Sequence, residues 1–528
     1  MNTIYKIAKF IISLPLFGVT NVPTTMHDAR LARYVPKIKD SDFSYNPMHT
    51  PIARCYKSEL TRHKNASGAT LLDDGFSAFL IRAAIARMAI HTIDLQTYIY
   101  DNDLPSRILL DELKNAADRG VKVRILLDDY GTNSDIVDVM VLNQHPNIEI
   151  KVFNTVAYRA KCLYYPQFFM EFNRLNSRMH NKLFIVDSIA YITGGRNVGS
   201  NYFYPETSAN FSDTDVLFIG DMTRYAEKSF NEYWNHHLSI PASVFPKSKS
   251  RRARRRVERR VDNFKTRDGT DARKYNTLIS MIMHEFQTRQ FDFHWGRGQF
   301  LADSPDKVEM PLANKENYFG DIVRELGRLW RQTTKSVYLS AAYFVPGYGG
   351  LENILHEEKS GVHITIVTNS LASTNAPTVY AKWEKYRKML IDGGADVYEF
   401  MPSAENRQQR RDRHERRHIV FSALHSKTIV FDDKISWIGS FNLDPRSTFF
   451  NTENVSVFRS STFAKRLRAA IMNDAQNAWH VGYRANQTIW TGRRPNDNRI
   501  RKYYYAPDAG ILKRIWKTLC KLIPEKYV

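Results

Sequence analysis

The chain has 528 residues, 43% hydrophobic and 25% charged, which is the make-up of a multi-domain globular protein and excludes a globally disordered one. Lysine and arginine number 76 against 55 acids, a formal charge of +21, so the expected partners carry phosphate, either nucleic acid or anionic lipid. Three scattered cysteines, Cys55, Cys162 and Cys520, exclude a disulfide framework or a thiolate metal site, and no apolar tract approaches the roughly 18 to 20 residues of a membrane-spanning helix.

The N-terminus places Lys6 and Lys9 before an apolar stretch from Phe10 to Val19 that Ser13 and Pro15 interrupt. It reads as a cleaved signal, an uncleaved interfacial anchor or a packed segment. Five regions follow from the pattern: a lead segment over 1–45, a first domain over 46–245, a basic linker over 246–275, a second domain over 276–480 and a tail over 481–528. The first domain offers a helix around Phe76–Ile90, a strand over Thr92–Tyr100, an amphipathic helix over Ser106–Arg119 and a strand over Gly120–Asp128. Tyr158, Tyr164, Tyr165, Phe168, Phe169 and Phe172 crowd the next stretch, as core or as a lip for acyl chains. The linker holds the run Lys247–Arg260, a solvated loop or a contact for acidic headgroups. The second domain repeats the layout with Ile322–Gln332, Ser336–Phe344, a short helix and Gly361–Asn369, followed by a second basic run, Arg407–Arg417. Apolar strands alternating with helices predict α/β units with parallel sheet covered on both faces, present twice. The tail sets Ile511, Leu512, Ile515, Trp516, Leu519 and Ile523 at helical spacing among Lys513, Arg514, Lys517 and Lys521. This is a basic amphipathic helix for a membrane interface or for docking on its own domain.

Each domain carries the same motif. The first is His180-Asn-Lys182-Leu-Phe-Ile-Val-Asp187, with Gly194-Gly195-Arg196-Asn197 starting seven residues after the aspartate. The second is His425-Ser-Lys427-Thr-Ile-Val-Phe-Asp432, with Gly439-Ser440-Phe441-Asn442 at the same offset. Residues i and i+2 of a strand share a face, so each histidine points with its lysine. Asp187 and Asp432 fall at strand ends near turns, and the glycines allow close backbone approach. Packed about a pseudo-twofold axis, the two His-Lys-Asn sets meet in one cleft suited to displacement at a phosphodiester. One imidazole attacks phosphorus and the other moves protons, while the lysines and asparagines stabilise the non-bridging oxygens. No metal and no cofactor are needed. Each imidazole needs a carboxylate on its other nitrogen. The candidates, in matching places after the motifs, are Asp213 in the first domain, with Asp215 as its alternative, and Glu453 in the second.

These residues resemble the phospholipase D superfamily, marked by paired HxKxxxxD motifs each followed by G-[GS]-x-N. Phe211–Val216, Leu443–Thr448, Asn451–Glu453, Arg119–Asp129 and Ile364–Ala372 extend the resemblance to the C-type bacterial cardiolipin synthases. It runs from about Asp73 to the C-terminus and is weakest across Lys247–Tyr275. The resemblance implies two duplicated α/β/α sandwich domains packed pseudo-twofold around one active-site cleft, with His180 as nucleophile and His425 as acid and base. It implies a phosphatidyltransferase at the bacterial inner membrane, held peripherally on an anionic surface, on a face the sequence leaves open. Its substrates would be phosphatidylglycerol and also phosphatidylethanolamine. Attack by a lipid glycerol gives cardiolipin and attack by water gives phosphatidic acid.

A nuclease of the same superfamily also suits the charge. Nucleic acid is the less favoured partner, because compact nucleases of this type carry one motif per chain and dimerise. Both motifs lie in this chain, so a monomer suffices for a complete site. A membrane-binding protein that has lost activity is disfavoured by two intact motifs.

Overall fold

Residues 34–131, 139, 142–156, 166–168, 170–203, 209–245, 255, 269–315, 317–402, 421–494, 497 and 499–528 are described by a computed structural model. The apolar stretch Phe10–Val19, the run Arg407–Arg417, nearly all of Lys247–Arg260, and Tyr158, Tyr164, Tyr165 and Phe169 lie outside the described residues.

The first half is built from β1 (Ser67–Leu72), α1 (Gly75–Met88), β2 (Thr92–Thr97), α2 (Leu104–Asp118), β3 (Lys122–Asp128), β4 (Ile148–Phe153), β5 (Leu183–Val186), β6 (Ala190–Gly194), β7 (Ala209–Ser212), β8 (Asp215–Gly220), α3 (Thr223–Asn235) and β9 (Ser239–Pro241). Both helices of the first βαβα unit start where the sequence supplies an acceptor. Asp74 takes the Ser77 amide and Asp103 the Ser106 amide, each satisfying an orphan donor of the first turn. Every residue of β2 is buried, so its one charge must be paired. Asp94 meets Arg124 of β3 through two hydrogen bonds of 2.6 and 2.7 Å.

The second half repeats the plan after a connecting helix. It runs α4 (Gly269–Gln287), β10 (His294–Ala302), α5 (Asp321–Gln332), β11 (Ser336–Ala341), α6 (Gly347–Lys359), β12 (His363–Asn369), α7 (Pro377–Gly393), β13 (Asp396–Phe400), β14 (Phe421–Leu424), β15 (Lys427–Phe431), β16 (Ile435–Gly439), β17 (Asn454–Arg459), α8 (Ser461–Gln476), β18 (Ala478–Arg484), β19 (Gln487–Gly492), β20 (Arg501–Tyr503) and α9 (Ile511–Cys520).

Strand order is β1-β8-β6-β5-β2-β3-β4-β9 in one half and β10-β17-β16-β15-β11-β12-β13-β18 in the other. The order is the same, element for element. Each sheet is mixed and not wholly parallel as expected. Among the described residues of these two sheets only β2-β3-β4 and β11-β12-β13 run parallel, with α2, α6 and α7 crossing between β2 and β3, β11 and β12, and β12 and β13. The hairpins β5–β6 and β15–β16 have connections too short for a parallel crossover.

The halves join at strand pairings and through a common core. β1 pairs with β10 at one edge, and β7 pairs with β14 in a separate two-stranded sheet. A shared core sets Tyr191, Phe218 and Met222 against Phe300, Phe458 and Phe463, with Phe218 and Phe458 edge-to-face at 5.4 Å. Packing also divides the chain differently from the expected boundaries. Ile279, Phe286 and Phe293 belong to the core of the first half, whereas β18 to β20 extend the second sheet into the region expected as a tail.

Candidate active site

The two motif histidines reach one pocket because the backbone of each is bonded to the other half. The His180 amide donates to the Thr452 carbonyl at 2.9 Å, and the Thr452 amide returns a bond to Arg178. On the other side the His425 amide donates to the Ser212 carbonyl at 2.7 Å, continuing the β7–β14 ladder. Each motif is thus in register with the segment just before the opposite half's acid, and the acids are exchanged. His180 Nδ1 lies 2.8 Å from Glu453 Oε2, and His425 Nδ1 lies 2.6 Å from Asp213 Oδ2. Both candidate carboxylates are where an imidazole needs them, each serving the histidine of the other domain. Asp215, the alternative to Asp213, is instead paired with Arg82 at 2.7 Å and touches neither histidine.

A carboxylate only accepts, so each Nδ1 carries the proton and each Nε2 holds a lone pair. Burial takes the His180 pKa down to about 4, against the opposing pull of Glu453. His425 is pushed well below the usual range by burial, with Lys427 and Lys182 adding to it. Both rings are therefore neutral near pH 7.

The acids differ. Burial raises the Glu453 carboxyl, but His180, Lys182 and the Ser440 hydroxyl outweigh it and hold it below the carboxylate range. The Ser447 hydroxyl donates to it as well, at 2.7 Å. Asp213 is left raised, its burial exceeding the pull of Lys427 and Arg196. The glycine-serine difference between the motifs follows from this. A Cβ at Gly195 would lie 2.2 Å from Asp213 Oδ1, so the shorter acid needs glycine there. The longer Glu453 leaves room for Ser440 as a donor.

Lys182 and Lys427 are buried beside the histidines, and each ammonium donates to the carbonyl of its own histidine. Burial lowers Lys182 to about 7 and also lowers Lys427. Asn197 and Asn442 both line the pocket but are used differently. Asn197 accepts from the Ile99 amide and donates to the Tyr202 hydroxyl. The Asn442 side-chain oxygen has no partner among the described residues.

Asp187 and Asp432 are not in the pocket. Each opens a tight turn after its motif strand with positive φ, 50° and 53°. Asp187 accepts from the amides of Ile90, His91 and Thr92, and Asp432 from those of Thr334, Lys335 and Ser336. These aspartates fasten the hairpin to the loop entering the central strand, which is a positioning task.

The pocket has a volume of about 270 Å³ and is also lined by Tyr98, Arg178, Tyr202, Tyr343, Asp444 and Arg446. Sequence reasoning did not single these out. Tyr98 packs edge-on to His180 at 5.3 Å and Tyr202 to His425 at 5.4 Å. Arg178 is tied to Asp128 at 2.7 Å, and Arg446 donates to Asn176. Arg178 stands two residues before the motif histidine, a signal that was available. Of the aromatic segment before the first motif, Phe168 and Phe172 pack on each other at 5.7 Å and are not in the pocket lining. Among the described residues one group of metal-capable side chains, His236, His237 and Glu309, lies after α3 and outside this pocket.

Comparison with known proteins follows the same lines. A family model described as "Cardiolipin synthase, PLD-like domain" matches residues 81–234 and 326–475. Cardiolipin synthase C of Escherichia coli K12 is 32% identical over 474 residues, covering 89% of this chain and 97% of that protein. An uncharacterized protein of Helicobacter pylori 26695 is 39% identical over 493 residues, 93% of this chain and 96% of that one. Among solved structures, the phosphatidylserine synthase of Haemophilus influenzae aligns over 90% of this chain and all of its own with a TM-score of 0.54 at 11% identity, a likeness of fold.

Proposed function

The chain belongs to the cardiolipin synthase, phospholipase D-like domain family, and on that premise we propose that it is a phosphatidyltransferase making cardiolipin or a related phospholipid. The observation that carries the reading is the crossed pair of carboxylate-backed histidines facing one pocket.

His180 Nε2 attacks the phosphorus of a donor such as phosphatidylglycerol or phosphatidylethanolamine. The P–N bond forms as the bond to the headgroup oxygen breaks, and His425 gives its proton to the departing alkoxide. His425 is protonated for this step because the bound phosphate brings negative charge against it and raises its pKa. In the second step the glycerol hydroxyl of an acceptor phosphatidylglycerol loses its proton to His425 and attacks phosphorus. The P–N bond then breaks and His180 is restored. An ionised Glu453 stabilises the cationic phosphorylated ring through Nδ1. Lys182, Lys427 and Asn442 supply donors for the non-bridging oxygens, replacing water's solvation with fixed charge. The chemistry asks for no metal, and one chain holds both histidines, so a monomer suffices.

The test is mass spectrometry of lipids after incubating the full-length protein with mixed phosphatidylglycerol and phosphatidylethanolamine vesicles, beside His180→Ala and His425→Ala. Cardiolipin formed only by the unaltered protein is the expected result. Phosphatidic acid alone makes the protein a hydrolase, and unchanged lipids overturn the reading and send the protein to a DNA substrate.

A further inference from the structure

A helix on the surface of a water-soluble domain buries its apolar stripe and turns its charges outward. The last helix, α9, is mounted the other way round. Lys513 donates to the carbonyls of Ala372 and Thr374, Lys517 to the Glu384 carboxylate at 2.8 Å, and Lys521 pairs with the same acid at 3.2 Å. Cys520, on that face too, is buried. The opposite face holds Ile511, Leu512, Ile515, Leu519 and, in the turn that follows, Leu522, with exposures of 74, 82, 55, 53 and 84%. At helical spacing these five form one stripe about 100° wide.

The patch continues beyond the helix. Arg514 donates to the Ala506 carbonyl and lies 4.7 Å from the Tyr505 ring, so the exposed Tyr504 and Tyr505 adjoin the stripe. Residues 499–528 carry eight lysines and arginines against two acids, but Lys513, Lys517 and Lys521 are turned to the domain and Arg499 and Arg501 pair with Asp497. An apolar stripe of this size on a free surface marks an interaction site. Aliphatic side chains edged by tyrosines match a bilayer, where the stripe enters the acyl boundary, and the chain's charge of +21 favours an anionic one. The mounting is also next to the chemistry. The loop that receives Lys513 leads into Asn375, Ala376, Thr378 and Val379, which line the catalytic pocket, as does Val528 after α9.

We propose that α9 is a bilayer-docking element whose outward apolar stripe enters an anionic lipid surface and holds the pocket against it. The proposal deepens the lipid-transferase reading and rests on it for its purpose, but binding can be measured without turnover.

The experiment compares the full-length protein with the triple variant Leu512→Asp, Ile515→Asp, Leu519→Asp. It also includes Met281→Asp, an exposed apolar residue on α4, as a control. Each is sedimented with vesicles of equal phosphatidylglycerol and phosphatidylethanolamine, and each is assayed on those vesicles and on monomeric short-chain phosphatidylglycerol. The triple variant is expected to lose at least tenfold in vesicle binding and in turnover on vesicles, with short-chain turnover within twofold and the control unchanged. Vesicle binding unaffected by the triple change overturns the proposal, as does an equal loss in the control. A wild-type dimer that the triple variant dissolves with vesicle binding intact assigns the stripe to a second copy and also overturns it. Stripe-dependent binding with neither substrate turned over leaves the dock standing and removes the transferase reading.

Discussion

The two halves repeat one another strand for strand, yet what stands behind each imidazole is different. Glu453, behind His180, takes two serine hydroxyls as well as the ring and is held below the carboxylate range. Asp213, behind His425, packs against Gly195 and is raised by burial. A carboxylate held ionised best supports a ring that becomes cationic on phosphorylation. Asp213, which takes the Thr214 amide in place of the two serine hydroxyls, suits a ring that must gain and lose a proton. Duplication supplied two equal histidines, and the exchanged acids, fitted by glycine on one side and serine on the other, make them unequal.

The sharpest way to break this comparison is to remove each imidazole. His180→Asn is expected to lower turnover by at least about 10⁴-fold, since no nucleophile is left. His425→Asn should cost about 10²–10⁴-fold, the range for a general acid-base. Phosphatidyl-enzyme trapped by a neutral detergent quench, because the P–N bond is labile in acid, should form with His425→Asn and be absent with His180→Asn. Phosphoenzyme seen only with His180→Asn exchanges the two roles.

The acids come next. Glu453→Gln leaves an amide behind the nucleophile, which cannot fix the tautomer as an anion does, and is expected to slow turnover by about 10³-fold. Asp213→Asn, removing a carboxyl already raised, should cost about tenfold less. Equal losses in steady-state turnover would remove the asymmetry from the comparison.

A pH profile of kcat/KM reads the free groups. Neutral His180 is required, so activity should fall below its pKa of about 4. Protonated His425 and cationic Lys182 are both required, so activity should decline above the depressed His425 pKa and fall more steeply above about 7, where Lys182 loses its proton. Lys182→Gln should lower activity throughout and remove the steeper fall while leaving the His425 limb. A steeper fall that stays in place belongs to another group.

The meeting of both motif histidines in one pocket was legible in the sequence, because two strands with His and Lys at i and i+2, repeated with glycine and asparagine at fixed offsets, admit few other readings. The exchange of Asp213 and Glu453 was not, since it depends on β7 pairing with β14 and on the bridge between Met179 and Thr452, contacts between the halves that no local spacing encodes. The mixed sheet escaped for a related reason. β2 and β5 are both wholly buried strands, and burial does not tell an antiparallel neighbour from a parallel one. The tail was read correctly as a basic amphipathic helix, but which face meets the domain depended on Glu384 of α7, distant in sequence.

The smallest effect separates the two motif aspartates, which share a pattern position with the catalytic groups but not their pocket. Asp187 is buried and caps three amides, while Asp432 is half-exposed and caps three amides of a loop whose Thr334 and Lys335 reach water. Replacing Asp187 by alanine strands the buried Thr92 donor together with the part-buried amides of Ile90 and His91, and leaves a left-handed turn without its compensating polar group. The expected cost is about 3 kcal/mol. Asp432→Ala should cost about 1 kcal/mol, because water takes over the bonds. Asparagine at either site keeps one acceptor and tolerates the positive φ, so both Asn variants should sit close to the unaltered protein. Thermal midpoints give the order, and kcat of the still-folded variants should stay within twofold. A large loss of kcat in Asp187→Ala at an unchanged midpoint would move this residue from holding the hairpin to taking part in the reaction.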